Sequence, residues 1–84
     1  MTPYLEISFR HGRPFAAYLH CQSGKAVGAS HNLGNGLVLD VGEDHSIVGL
    51  EITSPSQTST RQVCQVLAEH GLIIDEADVT PLVA

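Results

Sequence analysis

Apolar and polar residues alternate with a period of two through the first two-thirds of the chain. Turn-forming clusters break the alternation at short intervals: His11-Gly12-Arg13-Pro14, Gln22-Ser23-Gly24-Lys25, Asn32-Leu33-Gly34-Asn35-Gly36 and Glu43-Asp44-His45-Ser46. The runs between them predict half-buried strands over residues 4–10, 14–21, 26–31, 37–42 and 47–53. Connections this short join antiparallel neighbours, because parallel pairing needs a long crossover. The expected product is a five-stranded antiparallel β-meander. After Ser54-Pro55-Ser56 the period lengthens: Val63, Val66, Leu67 and His70 fall at i, i+3, i+4 and i+7, and Ser59 with Gln62 has capping-box spacing. With Gly71 as terminator, one amphipathic helix is predicted over 59–70, packed on one face of the sheet. The fold class is α+β, in a single domain spanning 1–84. Leu72-Ile73-Ile74 can pack beside the helix or extend a sheet edge, and residues 75–84, which open on the acidic stretch Asp75-Glu76-Ala77-Asp78-Val79, read as a frayed tail.

The stretch 37–52, LVLDVGEDHSIVGLEI, fixes a register. A two-residue turn at Asp44-His45 sets Val41 opposite Val48, Leu39 opposite Leu50 and Leu37 opposite Ile52, so that all six apolar side chains share the buried face. A one-residue slip would split them between faces. The other face then receives Val38, Asp40, Ile47, Gly49 and Glu51. Asp40 stands directly across from Gly49, with Glu51 on the adjacent rung opposite Val38. Gly49 leaves room above its strand for a side chain, a ligand or another backbone.

Eighty-four residues bury about 60–65% of their unfolded surface, which makes the core marginal and self-association plausible on size alone. At 43% apolar and 15% charged residues the chain is too hydrophobic to be disordered. The net charge of −5 and the scatter of Arg10, Arg13, Lys25 and Arg61 remove the electrostatic footprint of a nucleic-acid binder and disfavour anionic membranes. Apolar runs fall short of the ~20 residues of a spanning helix. Met1-Thr2-Pro3-Tyr4 lacks the start of a signal peptide, so a soluble cytoplasmic protein is expected, with Cys21 and Cys64 reduced and buried as small apolar residues.

Ala16-Ala17-Tyr18-Leu19, Gly36, Asp40, Asp44, Ile47, Val48, Gly49, Glu51 and Ile52, within residues 14–53, resemble a family of small bacterial proteins, domain of unknown function 2283, whose hairpin carries a V-G-x-E-I element. The resemblance implies a compact β-meander and a cytosolic bacterial source. It implies no activity, and hints at partnership with small toxin-like proteins in two-gene modules. This chain departs from the pattern in reading Phe9-Arg10-His11-Gly12-Arg13-Pro14-Phe15 where the family has Y-D-x-x-x-D, so no role of those acids carries over. His45 stands for the family's turn glycine and points to a wider turn.

Candidate chemistry is sparse. His11, His20, His31, His45 and His70, with Cys21 and Cys64, lack the close ligand pairs of a zinc site, and His20 and Cys21 point to opposite faces of a strand. No metal and no cofactor is expected. Neither cysteine has the base and electropositive setting of a nucleophile, and the glycines of "GNLGNG" precede a strand, as turn residues do. Phe9 and Phe15 are expected in the core with Leu5, Ile7, Ala17 and Leu19, leaving Tyr4 and Tyr18 outside. The leading expectation is an interaction module that forms a homodimer through the sheet face or edge away from the helix, at Tyr18, Val38, Asp40, Ile47, Gly49 and Glu51. The alternative is an antitoxin-like or regulatory partner of a small basic protein. A third reading is an enzyme using the carboxylates of Asp40 and Glu51, with His31 or His45 as an aid.

Overall fold

The computed structural model describes residues 3–22 and 24–83, with side chains as far as Val79. Ser23 of the second expected turn, and the two ends of the chain at Met1-Thr2 and Ala84, lie outside the described residues. Five antiparallel strands form one open sheet: β1 (Tyr4–Arg10), β2 (Arg13–His20), β3 (Ala29–Gly34), β4 (Leu37–Val41) and β5 (Ile47–Ile52). A short 3-10 turn over Pro55–Gln57, the helix α1 (Thr60–Glu69) and a 3-10 segment over Glu76–Val83 follow. The spatial order is β1-β2-β5-β4-β3. Consecutive strands pair within β1-β2 and within β3-β4-β5, but β2 pairs β5 instead of β3, so the sheet is two local units joined along one seam rather than a sequential meander. Burial explains the choice. Pairing β2 with β5 sets Leu19 against Leu50 and Ala17 against Ile52, all fully or nearly buried, whereas β3 offers Ala-Ser-His-Asn-Leu-Gly, which is almost wholly exposed.

The turns account for the strand ends. His11 (φ 53°) and Gly12 (φ 76°) are both left-handed, as are Asn35 (φ 53°) and Gly36 (φ 77°). Two consecutive positive φ values make the tight hairpin turn whose twist matches the strands it joins. The second turn needs only Asn35-Gly36, so Asn32-Leu33-Gly34 become the end of β3, and that strand starts at Ala29 rather than at residue 26. The third turn is wider than two residues. Gly42 N–H donates to the carbonyl of Ser46 and His45 N–H to that of Gly42, with His45 left-handed at φ 67°. Asp44 braces it, accepting from the Ser46 amide and hydroxyl and pairing with the Lys25 ammonium, and that ammonium, followed by Ser46, holds its carboxyl below the usual range.

A β-bulge in β5 then compensates. Val41 pairs Ile47, Asp40 pairs Gly49, and Val48 is the extra residue. One residue added in the loop and one in the strand cancel, so Leu39 still faces Leu50 and Leu37 still faces Ile52. Between bulge and turn the expected faces do change. Ile47, expected on the outer face, packs on the core, and Val48 is buried without joining the main core cluster. The Val48 carbonyl accepts from the amides of both Cys21 and Gln22, which ties the bulge to the end of β2.

The core gathers Ala17, Leu19, Leu37, Leu39, Leu50 and Ile52 from the sheet with Val63 and Leu67 from the helix. Ser59 caps α1 by accepting from the Gln62 amide at 3.1 Å. Gly71 (φ 89°) ends it, with its own N–H on Ala68 and that of Leu72 on Leu67. Leu72 and Ile74 pack on the core rather than extending the sheet, and Ile73 between them points outward. The expected frayed tail is instead helical from Glu76, because Val79 is fully buried in the core. Phe9 and Phe15, expected in the core, are 61% and 48% exposed. The reason is the register. A bulge interrupts β1-β2 pairing at Phe15, and β2 has a second strand neighbour only over Ala17–His20.

Candidate functional site

The helix and both 3-10 segments lie on the core side, leaving the second sheet face to a row of polar and aromatic side chains. Strand pairing brings Glu6 beside Tyr18, Tyr18 beside Glu51, and Glu51 beside Val38; one rung along, Tyr4, His20, Gly49, Asp40 and Ser30 form the next row. Tyr18 reaches diagonally from β2 across β5 and donates its hydroxyl proton to Asp40 Oδ2 on β4 at 2.7 Å. Ser30 on β3 donates to Oδ1 of the same carboxylate, also at 2.7 Å. Gly49 is what permits this: a Cβ there would lie 2.5 Å from Tyr18 Cζ and closer still to Cε1 and the hydroxyl. The gap in the apolar run therefore holds the Tyr18 ring.

His20 is the second node. Its Nε2 bonds Glu6 Oε1 at 2.8 Å, its ring stacks on Tyr4 with centroids 4.4 Å apart and planes 9° apart, and the Tyr18 ring tilts against it at 4.7 Å. The face is thus a continuous polar and aromatic strip from Tyr4 to Ser30. The expected site residues Tyr18, Val38, Asp40, Gly49 and Glu51 all lie on it, and Ile47 does not. Asp40 and Glu51 stand on adjacent rungs of β4 and β5. Both oxygens of Asp40 are engaged by hydroxyl donors, and Glu51, exposed, adds its negative charge beside Tyr18. Sequence reasoning missed Ser30, His20, Glu6 and Tyr4, whose proximity depends on the strand order. The one local signal was a glycine on a half-polar face with a tyrosine elsewhere to fill it.

Burial, followed by the hydrogen bond to Asp40 and the nearby negative charges, drives the Tyr18 phenol well above its usual pKa of 10.0. A raised pKa means the folded state holds that proton more tightly than the unfolded chain. Its stabilising contribution is complete below about pH 10 and is lost as pH rises beyond it. Wild-type stability is expected to fall more steeply above pH 10 than that of Tyr18→Phe, read by urea unfolding from pH 8 to pH 11. Parallel curves would show that Tyr18 does not keep its proton against Asp40. Comparison with the variant also removes Cys21 and Cys64, whose thiols are raised by burial, Cys21 to about 11.

A concavity of about 340 Å³ lies between the end of β2, the β4-β5 turn and the end of α1, lined by Cys21, His45, Ser46, Ile47, His70 and Leu72 among others. The Cys21 thiol is buried, which raises its pKa and disfavours the thiolate, and His70 Nδ1 donates to the Val66 carbonyl at 2.9 Å. Cys21 and Cys64 are free thiols. His31 is exposed on β3, and among the described residues no three His, Cys, Asp or Glu side chains converge as metal ligands.

The fold and this face define an α+β domain with an open five-stranded sheet covered on one side. No family model, curated protein or solved structure matches the chain. Among the described residues, no helix is long and apolar enough to cross a membrane.

Proposed function

We propose that the protein is a small interaction module that self-associates through the uncovered face of its sheet. The observation that carries this reading is the strip itself. Tyr4, Tyr18, His20 and Val38 form a pre-organised aromatic and apolar surface, fixed by the Tyr18–Asp40 and His20–Glu6 bonds, with no layer of the described residues above it. Side chains already held in one conformation lose little entropy on docking.

Light scattering across a concentration series tests it. The expected result is a dimer at tens of micromolar that Val38→Lys converts to monomer, since a charge at the centre of an isologous face is met by its own copy. A wild-type monomer throughout would sink the reading. A regulatory partnership with a small basic protein is the second reading, favoured by the run of carboxylates from Glu69 to Asp78; co-expressed chains that fail to copurify would remove it.

A further inference from the structure

The uncovered face does not end at the strip. Past Ala17, toward the β1-β2 turn, the ribbon of β1 and β2 runs on with no further strand beside it, and its outer side continues the same alternation. Tyr4, Glu6, Ser8 and Arg10 share that side of β1, and His20, Tyr18, Ala16 and Arg13 stand opposite them on β2. The bulge residue Phe15 lies alongside, its ring centroid 5.1 Å from the Arg10 guanidinium. One face of the ribbon thus passes from a carboxylate rung, through a rung of small side chains, to an arginine rung.

Charge divides this face in two. Glu6 and Glu51 are exposed carboxylates on one rung with Tyr18 and Val38, and Asp40 lies a rung beyond. The cations of the face are Arg10 and Arg13, since Lys25 is paired with Asp44 and Arg61 belongs to the helix. Neither of these two arginines makes an ion pair among the described residues. Two copies stacked strip on strip would set the carboxylates of one against those of the other, a costly juxtaposition. Turned end for end and shifted along the ribbon, they instead lay the arginine rung of each on the carboxylate rung of the other. Arg10 is four residues from Glu6, about 14 Å along an extended strand, and the midpoint of that span is the rung of Ser8 and Ala16. Small side chains stand where the two ribbons would cross, so their backbones can approach closely.

We propose that two copies of this chain pair through the uncovered face in that shifted register, Arg10 and Arg13 of each against Glu6 and Glu51 of the other, with Ser8 and Ala16 at the two-fold axis. The inference rests on the self-association reading and fixes its register. Every favourable contact occurs twice, and the assembly closes. Both surfaces lie on the same side of the sheet, away from the helix. A nucleic-acid ligand fits less well, since two arginines on a chain of net charge −5 neutralise few phosphates.

The test is charge reversal with rescue, read by light scattering and analytical ultracentrifugation on the full chain. Arg10→Glu/Arg13→Glu and Glu6→Lys/Glu51→Lys are each expected to weaken the dimer at least tenfold, because like charges then face each other. The second variant is less negative than wild type, so general charge repulsion would act in the opposite direction. An equimolar mixture of the two should restore the dimer, since both reciprocal contacts regain opposite signs. Raising ionic strength to about 1 M, where the Debye length is about 3 Å, should weaken the wild-type dimer. Glu6 also holds His20, so Glu51→Lys alone serves as a second strip variant should the double variant lose fold. A mixture that stays monomeric overturns the proposal. Val38→Lys dissociates the pair in either register, meeting its own copy in direct stacking and the arginine rung in the shifted one. Dissociation by Val38→Lys with no effect of Arg10→Glu/Arg13→Glu therefore overturns the shifted register and leaves self-association through the face intact, whereas a wild-type monomer overturns both. Binding of a single-stranded oligothymidine by that monomer, lost in Arg10→Glu/Arg13→Glu, would assign the arginine rung to nucleic acid instead.

Discussion

Gly49→Ala is expected to destabilise the protein by about 2 kcal/mol, the middle of the range for forcing an extra carbon into a packed site. For a domain of this size that lowers Tm by about 8–16 °C. Alanine is small and takes strand geometry readily, so the cost comes from one neighbour. The Tyr18 ring occupies the space, and moving it breaks the bond to Asp40 and the contact with His20. The attribution is checked by a double-mutant cycle. In a Tyr18→Ala background the ring is gone, and Gly49→Ala should cost at most a few tenths of a kcal/mol. An undiminished penalty there would mean that the backbone, not the ring, requires glycine.

Leu67→Ala should have a still larger effect, about 2–5 kcal/mol, the usual range for removing a leucine from a closed core. Total stability for 84 residues is about 4–13 kcal/mol, so this one change removes a large share of it. The helix is short, at ten residues, and holds to the sheet through two fully buried side chains, Val63 and Leu67. Loss of the leucine leaves a cavity in the core cluster that it shares with Leu19, Leu39 and Leu50. Ile73→Ala is the control. Exposed as it is, it should leave the denaturation midpoint of the monomer within about 0.5 kcal/mol of wild type. Equal effects at the two positions would contradict the assignment of the core.

The hairpin register over 37–52 was legible because alternation is a non-local constraint: six apolar residues had to share a face, whatever the turn did. The turn itself was less legible. His45 pointed to a wider turn, but the alternation gave no sign of the bulge that goes with it, and the bulge at Val48 conceals the extra loop residue everywhere except at Ile47 and Val48. Strand order was not legible, because β2 to β3 and β2 to β5 are both antiparallel pairings and only burial over the whole sheet separates them. With the order went the site. Tyr18 and Asp40 were each placed on the outer face, but their bond requires β5 to lie between β2 and β4. The phenylalanines misled for the opposite reason, since side-chain hydrophobicity argues for burial and cannot report that the ribbon outruns the layer beneath it.

The strand order also sets where chain entropy opposes the sheet most. The turns of the two local units close over two or three residues, whereas the seam between β2 and β5 closes the whole stretch from His20 to Gly49. Loop entropy grows with the logarithm of length, which makes that joint costlier than a turn by about 2 kcal/mol. The Tyr18–Asp40 bond crosses the joint, starting on one unit, passing over Gly49 at the seam and ending inside the other. A net contribution of about 1.5–3 kcal/mol for a hydrogen bond to a charged group is of the size needed to offset it. The tyrosine is in that sense a fastener: it holds two independently wound halves as one sheet.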